Sequence, residues 1–179
     1  MRFINQFLKS KESIGCDIGA KAVKFVHLKR NGRGLILQSA GIIEADLLGG
    51  NEIAIQRVKA YFKDNGIAGH RVNVNIEDET LRIRLMDLPV MPQNDMKIAI
   101  RWNFREYVEG SIDKYTVNFS EISTVKNEGF KRPVVAYGVS SESVDKIINI
   151  VKQVGLRTSI CRRRMQASYK QYFKIAFCQ

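Results

Sequence analysis

Apolar residues gather in three runs, at 13–19, 22–29 and 35–44. The links between these runs are short, and the second holds Asn31, Gly32 and Gly34, which predicts three strands in an antiparallel meander. Both faces of the first two strands are partly apolar, so helices are expected to cover this sheet. After Gly49-Gly50, the spacing of Ile55, Val58 and Phe62 predicts a helix capped by Asn51, running to about Asp64 and stopped by Asn65-Gly66. Val72 to Ile76 alternates as a half-buried strand. Leu81, Ile83 and Leu85, alternating with Arg82 and Arg84, predict another strand with one basic face. Pro89 and Pro92 force an extended link. Asn94 or Asp95 then starts a helix with Met96, Ile100, Phe104 and Val108 at steps of four. A strand follows within 115–123, carrying Tyr115, Val117 and Phe119. Pro133–Val139 is a short buried strand. Ser140 or Ser141 caps a helix that sets Val144, Ile147, Ile148, Val151 and Val154 on one face, and Gly155 ends it.

Composition narrows the function classes. The 179 residues suffice for one domain or two small subdomains, and 45% hydrophobic content fits a globular chain. No apolar run is long enough to span a bilayer, and the N-terminus lacks an apolar signal core. Cys16, Cys161 and Cys178 have no metal-ligand spacing, so a reduced, cytoplasmic setting is expected. The net charge of +11 invites a nucleic acid or an anionic membrane as partner. However, six Lys or Arg and no acid lie from Arg157 onward, which leaves +5 for the rest. Residues 1–12, with Phe3, Ile4, Phe7 and Leu8 on one side, are expected to pack as an arm on their own domain rather than to anchor in a membrane. Trp102, Phe104 and Tyr107, interleaved with Arg101 and Arg105, are expected to form an aromatic core face and a solvated basic face, not a base-stacking platform.

Few residues carry chemistry. There is no Gly-x4-Gly-Lys-Ser loop and no nucleophile–base–acid arrangement. His27 falls in a strand and His70 in a turn, and neither is expected to be a ligand or base. Glu77-Asp78-Glu79 is a solvated turn whose successive side chains do not converge on a metal. What remains is Asp17-Ile18-Gly19, between two apolar runs. A small residue there lets backbone N–H groups approach a phosphate, and the acid could hold the water shell of Mg²⁺.

Ser13–Leu28 resembles the first phosphate motif of actin-like ATPases and, more narrowly, the opening of the PilM family of type IV pilus assembly proteins, which is related to FtsA. Asp17, Ile18, Gly19, Val23 and Lys24 match. Ala20, Lys21 and Ala22 stand where small hydroxyl residues are usual. A second block is more specific. Leu88-Pro89-Val90-Met91-Pro92 and Ile100-Arg101-Trp102, followed by Tyr107, are similar to the family's pattern, with Asn103 in place of the usual Glu. The match stops after Thr158-Ser159-Ile160, where Arg162-Arg163-Arg164 and an aromatic, basic end begin.

The resemblance implies an α/β (α+β) fold: an actin-like, ribonuclease H-like first lobe with an inserted small α+β subdomain, cut short. Residues 1–50 and 126–160 would form the first subdomain, with the first three strands sharing a sheet with Pro133–Val139. Residues 51–125 would form the insert, and 161–179 a basic tail outside the family fold. Full-length relatives hold ATP and Mg²⁺. Here Asp17, Gly19, Ala20, Lys21 and Lys24 would be a vestigial phosphate turn without the second phosphate motif or an adenosine pocket. The expectations are therefore no cofactor for this chain alone, no metal and no enzyme activity. The family's groove holds the extended cytoplasmic N-terminus of PilN, a bitopic inner-membrane protein. By resemblance Arg82, Arg84, Leu88 and Trp102 would line it. That makes the chain a scaffold of the pilus platform, peripheral to the inner membrane and touching its other components. The rival reading is a nucleic-acid-binding module that uses the arginine-rich tail, and a third is an ATPase in its own right.

Overall fold

The computed structural model describes residues 12–32, 34–76, 78–122 and 131–158, and the backbone of two short strands beyond them. The chain forms two units. It leaves the first after Ile76 and re-enters it at Lys146.

In the first unit, β1 (Glu12–Ile18), β2 (Ala22–Asn31) and β3 (Gly34–Glu44) form the antiparallel meander. Period-two alternation buries Ile14, Cys16, Ile18, Val23, Phe25 and Ile43. Helix α1 (Glu52–Asp64) starts where the Asn51 side chain accepts from Ala54 N at 3.2 Å, and it buries Ile55, Val58 and Phe62. Phe25 meets Tyr61 and Phe62 edge-on, with ring centres 5.9 and 5.7 Å away, and so fastens α1 to β2. Strand β4 (Arg71–Ile76) runs parallel to β1, pairing Asn73 with Gly15. The two-residue β8 (Arg157–Thr158) runs parallel to β4. The meander and β4 follow the order β3-β2-β1-β4, and β8 pairs with β4 off that path.

In the second unit, β5 (Arg82–Pro89) and β6 (Tyr115–Glu121) flank β7 (Lys131–Ser140), all antiparallel. Helix α2 (Gln93–Phe104) covers one face, where Met96, Ile100 and Phe104 pack with Leu88, Ile112, Tyr115, Val134 and Ala136. A Cβ on Gly138 would lie 2.5 Å from the Phe104 ring, so only glycine lets helix and strand approach this closely. Arg101 clamps the loop after α2. It donates to Ile112 O at 3.1 Å and to Asp113 at 2.8 Å. Hydrogen bonds from Arg101 and Ser111 hold the Asp113 carboxyl below its usual pKa, so the clamp contributes at neutral pH and is lost as pH falls through that lowered value. Helix α3 (Ser141–Gln153) is capped by Ser140, whose hydroxyl accepts from Ser143 N at 3.0 Å. The two units divide within α3, after Asp145. Two short strands, β9 (Gln166–Ser168) and β10 (Lys174–Ala176), pair antiparallel.

Several expectations need correction. Pro133–Val139 lies in β7, in the three-stranded sheet of the second unit, and does not join β1–β3. Its apolar run reflects burial on both faces as a middle strand, not a place in the first sheet. The strand that returns to the first sheet is β8. The insert starts after β4 instead of at residue 51, because Gly49-Gly50 is only a local turn, closed by Gly49 N donating to Asp46 at 2.8 Å. Helix α2 begins at Gln93 with Pro92 in the cap position, so Asn94 and Asp95 lie inside its first turn. The basic face of β5 is also its core face further along. Met86 and Leu88 share the parity of Arg82 and Arg84 and pack against the α2 core, whereas Leu85 is 68% exposed. Among the described residues helices cover only the Phe25 face of the first sheet: Val26, Leu37 and Ile42 are exposed on the face away from Phe25. The 1–11 arm and Arg162–Arg164 lie outside the described residues, as do the side chains of the rest of the expected tail.

Candidate functional site

The β1–β2 hairpin sets the geometry of the Asp17 turn. Gly19 N donates to Ala22 O at 3.0 Å, leaving Ala20 and Lys21 exposed at the tip. A Cβ at Gly19 would press on Ala22 O at 3.3 Å. Asp17 lies on the sheet face opposite Ile14, Cys16 and Ile18, beside Lys24, whose Nζ is 3.7 Å from Oδ2. Parallel pairing of β1 and β4 brings in a residue that the chain pattern did not single out. Asn75 is buried, donates from Nδ2 to Asp17 Oδ1, and accepts from Ile18 N at 3.3 Å. Two asparagines at 73 and 75, alternating with Val72 and Val74, were the available signal. It became readable only once β4 was known to lie beside β1.

Of the five expected turn residues, Asp17 and Lys24 come together, and Ala20 and Lys21 form the tip. These residues fit a phosphate only in part. The Gly19 N–H is spent within the turn, the carboxylate is engaged by Asn75 and Lys24, and the tip is open to water. Among the described residues no group of three or more His, Cys, Asp or Glu could hold a metal.

Beneath the turn, burial first and the neighbouring Asp17 charge second push the Cys16 thiol up to about 12 from 9.0. Its thiolate fraction near neutral pH is then about a thousandfold below that of a free cysteine. In a Cys161→Ser/Cys178→Ser variant, Cys16 should resist iodoacetamide at pH 8 in the folded chain and react promptly in urea; equal rates in both would contradict its burial.

The second region is the outer side of α2. Trp102 is 65% exposed and Ile98, one turn earlier, 68%, on the side of the helix opposite Met96, Ile100 and Phe104, so the expected aromatic core face is Phe104 alone, with Trp102 and Tyr107 exposed. Arg105 lies over Trp102, with its guanidinium carbon 4.2 Å from the ring centre, and Arg84 lies over Tyr107 at 4.7 Å. Of the four expected lining residues, Trp102 and Arg84 are exposed, Arg82 is half-buried and 3.8 Å from Glu109, and Leu88 is 7% exposed in the core and so offers no contact surface.

The two histidines also come together. His27 Nε2 and His70 Nε2 lie 3.5 and 3.4 Å from the same Glu12 oxygen, with ring centres 5.8 Å apart. They tie the start of β1 to β2 and to the turn before β4. Residues 12, 27 and 70 are too far apart in sequence for spacing to reveal this.

No helix among the described residues is long and apolar enough to cross a membrane. No protein-family model matches the chain, and no curated protein matches it. Solved structures do. The chain is similar to the PilM-PilN type IV pilus biogenesis complex, with a TM-score of 0.68 and 20% identity over 83% of its length. It is also similar to the cytoplasmic domain of EpsL, an inner-membrane component of the type II secretion system of Vibrio cholerae, with a TM-score of 0.52 and 11% identity over 83%. It spans about half of each neighbour, 46% and 55% respectively. The fold is therefore the α+β, actin-like fold of these two neighbours, with one inserted unit.

Proposed function

We propose that this chain acts as a scaffold in an inner-membrane platform of the pilus or secretion type, gripping the extended cytoplasmic N-terminal segment of a PilN-like bitopic protein. The observation that carries this reading is the likeness, over 83% of the chain, to a PilM solved together with PilN. The exposed Trp102 side of α2, packed on its other side against a three-stranded sheet, supports it further. An extended segment gains main-chain hydrogen bonds at a free strand edge, and β5 is an edge strand of its sheet among the described residues. A fluorescein-labelled peptide of such an N-terminal segment should bind the full chain saturably, at roughly micromolar concentration. Trp102→Ala should weaken it. No saturation at millimolar chain would overturn the scaffold reading.

The same proposal makes the chain no ATPase. A nucleotide on the exposed tip at Ala20 and Lys21 would keep most of its surface in water, whereas ligand sites gain affinity by enclosing the ligand. Saturating ATP with Mg²⁺ should leave the melting temperature unchanged, and a rise of several degrees would contradict this.

A further inference from the structure

We infer that β5 and residues 102–107, the end of α2 and the 3-10 turn after it, form a carboxylate-reading surface, and that the segment docking there carries an acidic side chain next to an apolar one. The inference rests on the scaffold reading above and adds the chemistry that selects the partner.

The described arginines of the second unit divide into two sets. Arg82, Arg101 and Arg132 each have a carboxylate, from Glu109 at 3.8 Å, Asp113 at 2.8 Å and Glu121 at 3.2 Å. Arg84 and Arg105 have none within ion-pair distance among the described residues. They are instead the two whose guanidinium carbon lies over an aromatic ring, Tyr107 at 4.7 Å and Trp102 at 4.2 Å. Arg105 acts on Asp113 only at longer range, and that carboxylate is already held by Arg101 and Ser111.

A guanidinium stacked on a ring loses rotational freedom but keeps its in-plane N–H donors. Those donors match the two oxygens of a carboxylate. Arg84 spends one of them on its own Ile83 carbonyl at 2.8 Å. Tyr107 is itself fixed, edge-on to the buried Phe104 at 6.0 Å. Both rings therefore stand within residues 102–107, around the buried Phe104. Beside them Ile98 and Trp102 expose apolar surface, and tryptophan and arginine are the side chains that most often dominate a binding interface.

The sign pattern selects among anionic partners. Glu106 and Glu109 follow Trp102 within seven residues and are both exposed. A continuous polyanion, whether a nucleic acid or an anionic membrane, would meet these carboxylates as well as the arginines. A peptide with a single acid between apolar residues meets only the guanidinium it fits.

Trp102 is the chain's sole tryptophan, so its emission reports directly on this surface. The probes are an acetylated five-residue leucine peptide with one central aspartate, its asparagine counterpart, and phosphatidylglycerol vesicles, each titrated into the full chain. The aspartate peptide should change Trp102 emission saturably. The asparagine peptide should bind about tenfold more weakly, the loss of one charge-assisted contact. Arg84→Gln and Arg105→Gln, checked for unchanged melting, should each remove most of that preference, and 0.5 M NaCl should reduce it. Equal binding of both peptides, wild-type preference in both variants, or a response to vesicles but not to peptide would overturn the inference. A PilN-like segment that binds wild type and both variants equally would leave the scaffold reading intact and overturn this one. If that segment fails to bind while the aspartate peptide retains its arginine-dependent preference, only the partner assignment falls.

Discussion

Phe104→Ala should destabilise the second unit by about 3–5 kcal/mol, enough to unfold a large share of a marginally stable domain. Phe104 is fully buried between α2 and β7, touches the space a Cβ at Gly138 would occupy, and supports Tyr107. Urea unfolding followed by Trp102 emission should show the midpoint falling sharply. Trp102→Ala, followed by circular dichroism, should stay within about 0.5 kcal/mol of wild type, since that side chain faces water. A companion pair makes the test specific. Gly138→Ala should cost far less in Phe104→Ala than in the wild-type chain, because the ring it would strike is gone and only a Val117 methyl, 3.2 Å away, must give. Additive losses would show that the two positions do not share one packing contact.

Asn75→Asp should cost the first unit about 3 kcal/mol at pH 8, with most of the loss recovered in acid. The amide both donates to Asp17 and accepts from Ile18 N. An ionised aspartate can only accept, and it would face Asp17 across the β1–β4 pair. Lys24, with half its side chain in water, offsets little of this repulsion. As pH falls far enough to protonate one of the two carboxyls, a donor returns and the repulsion disappears. Urea midpoints at pH 8 and pH 4.5, each referred to wild type at the same pH, measure the change. An equal deficit at both values would mean that Asn75 acts through shape alone.

Local pattern made the elements legible and long-range pairing did not. β1–β3, α1 with its Asn51 cap, and α3 with its Ser140 cap could be read because period, turn residues and caps agree within each segment. The partition failed at β7. Six neighbouring buried positions look the same whether a strand sits in the middle of a small antiparallel sheet or of a larger parallel one. The face of β5 was misread because Met86 and Leu88 carry the apolar parity opposite to Leu81, Ile83 and Leu85. Only the helix above the sheet decides which parity is core. At the Asp17 turn the hairpin residues were legible, while Asn75 and the Glu12–His27–His70 cluster were not, since parallel pairing and a loop bring them in from afar. Arginine stacking on Trp102 and Tyr107 was hidden for a similar reason. Sequence showed basic and aromatic residues interleaved, but not which arginines had acids of their own.

Hydrogen exchange read by mass spectrometry, on the full chain with and without a saturating PilN-like segment, bears most directly on whether this lobe works by holding a neighbour's tail. Slowed exchange concentrated in residues 82–89 and 98–107, with β2 and β3 unchanged, is the expected result. Protection confined to the exposed β3 edge, or a bound segment that protects nothing in α2 and β5, would contradict it.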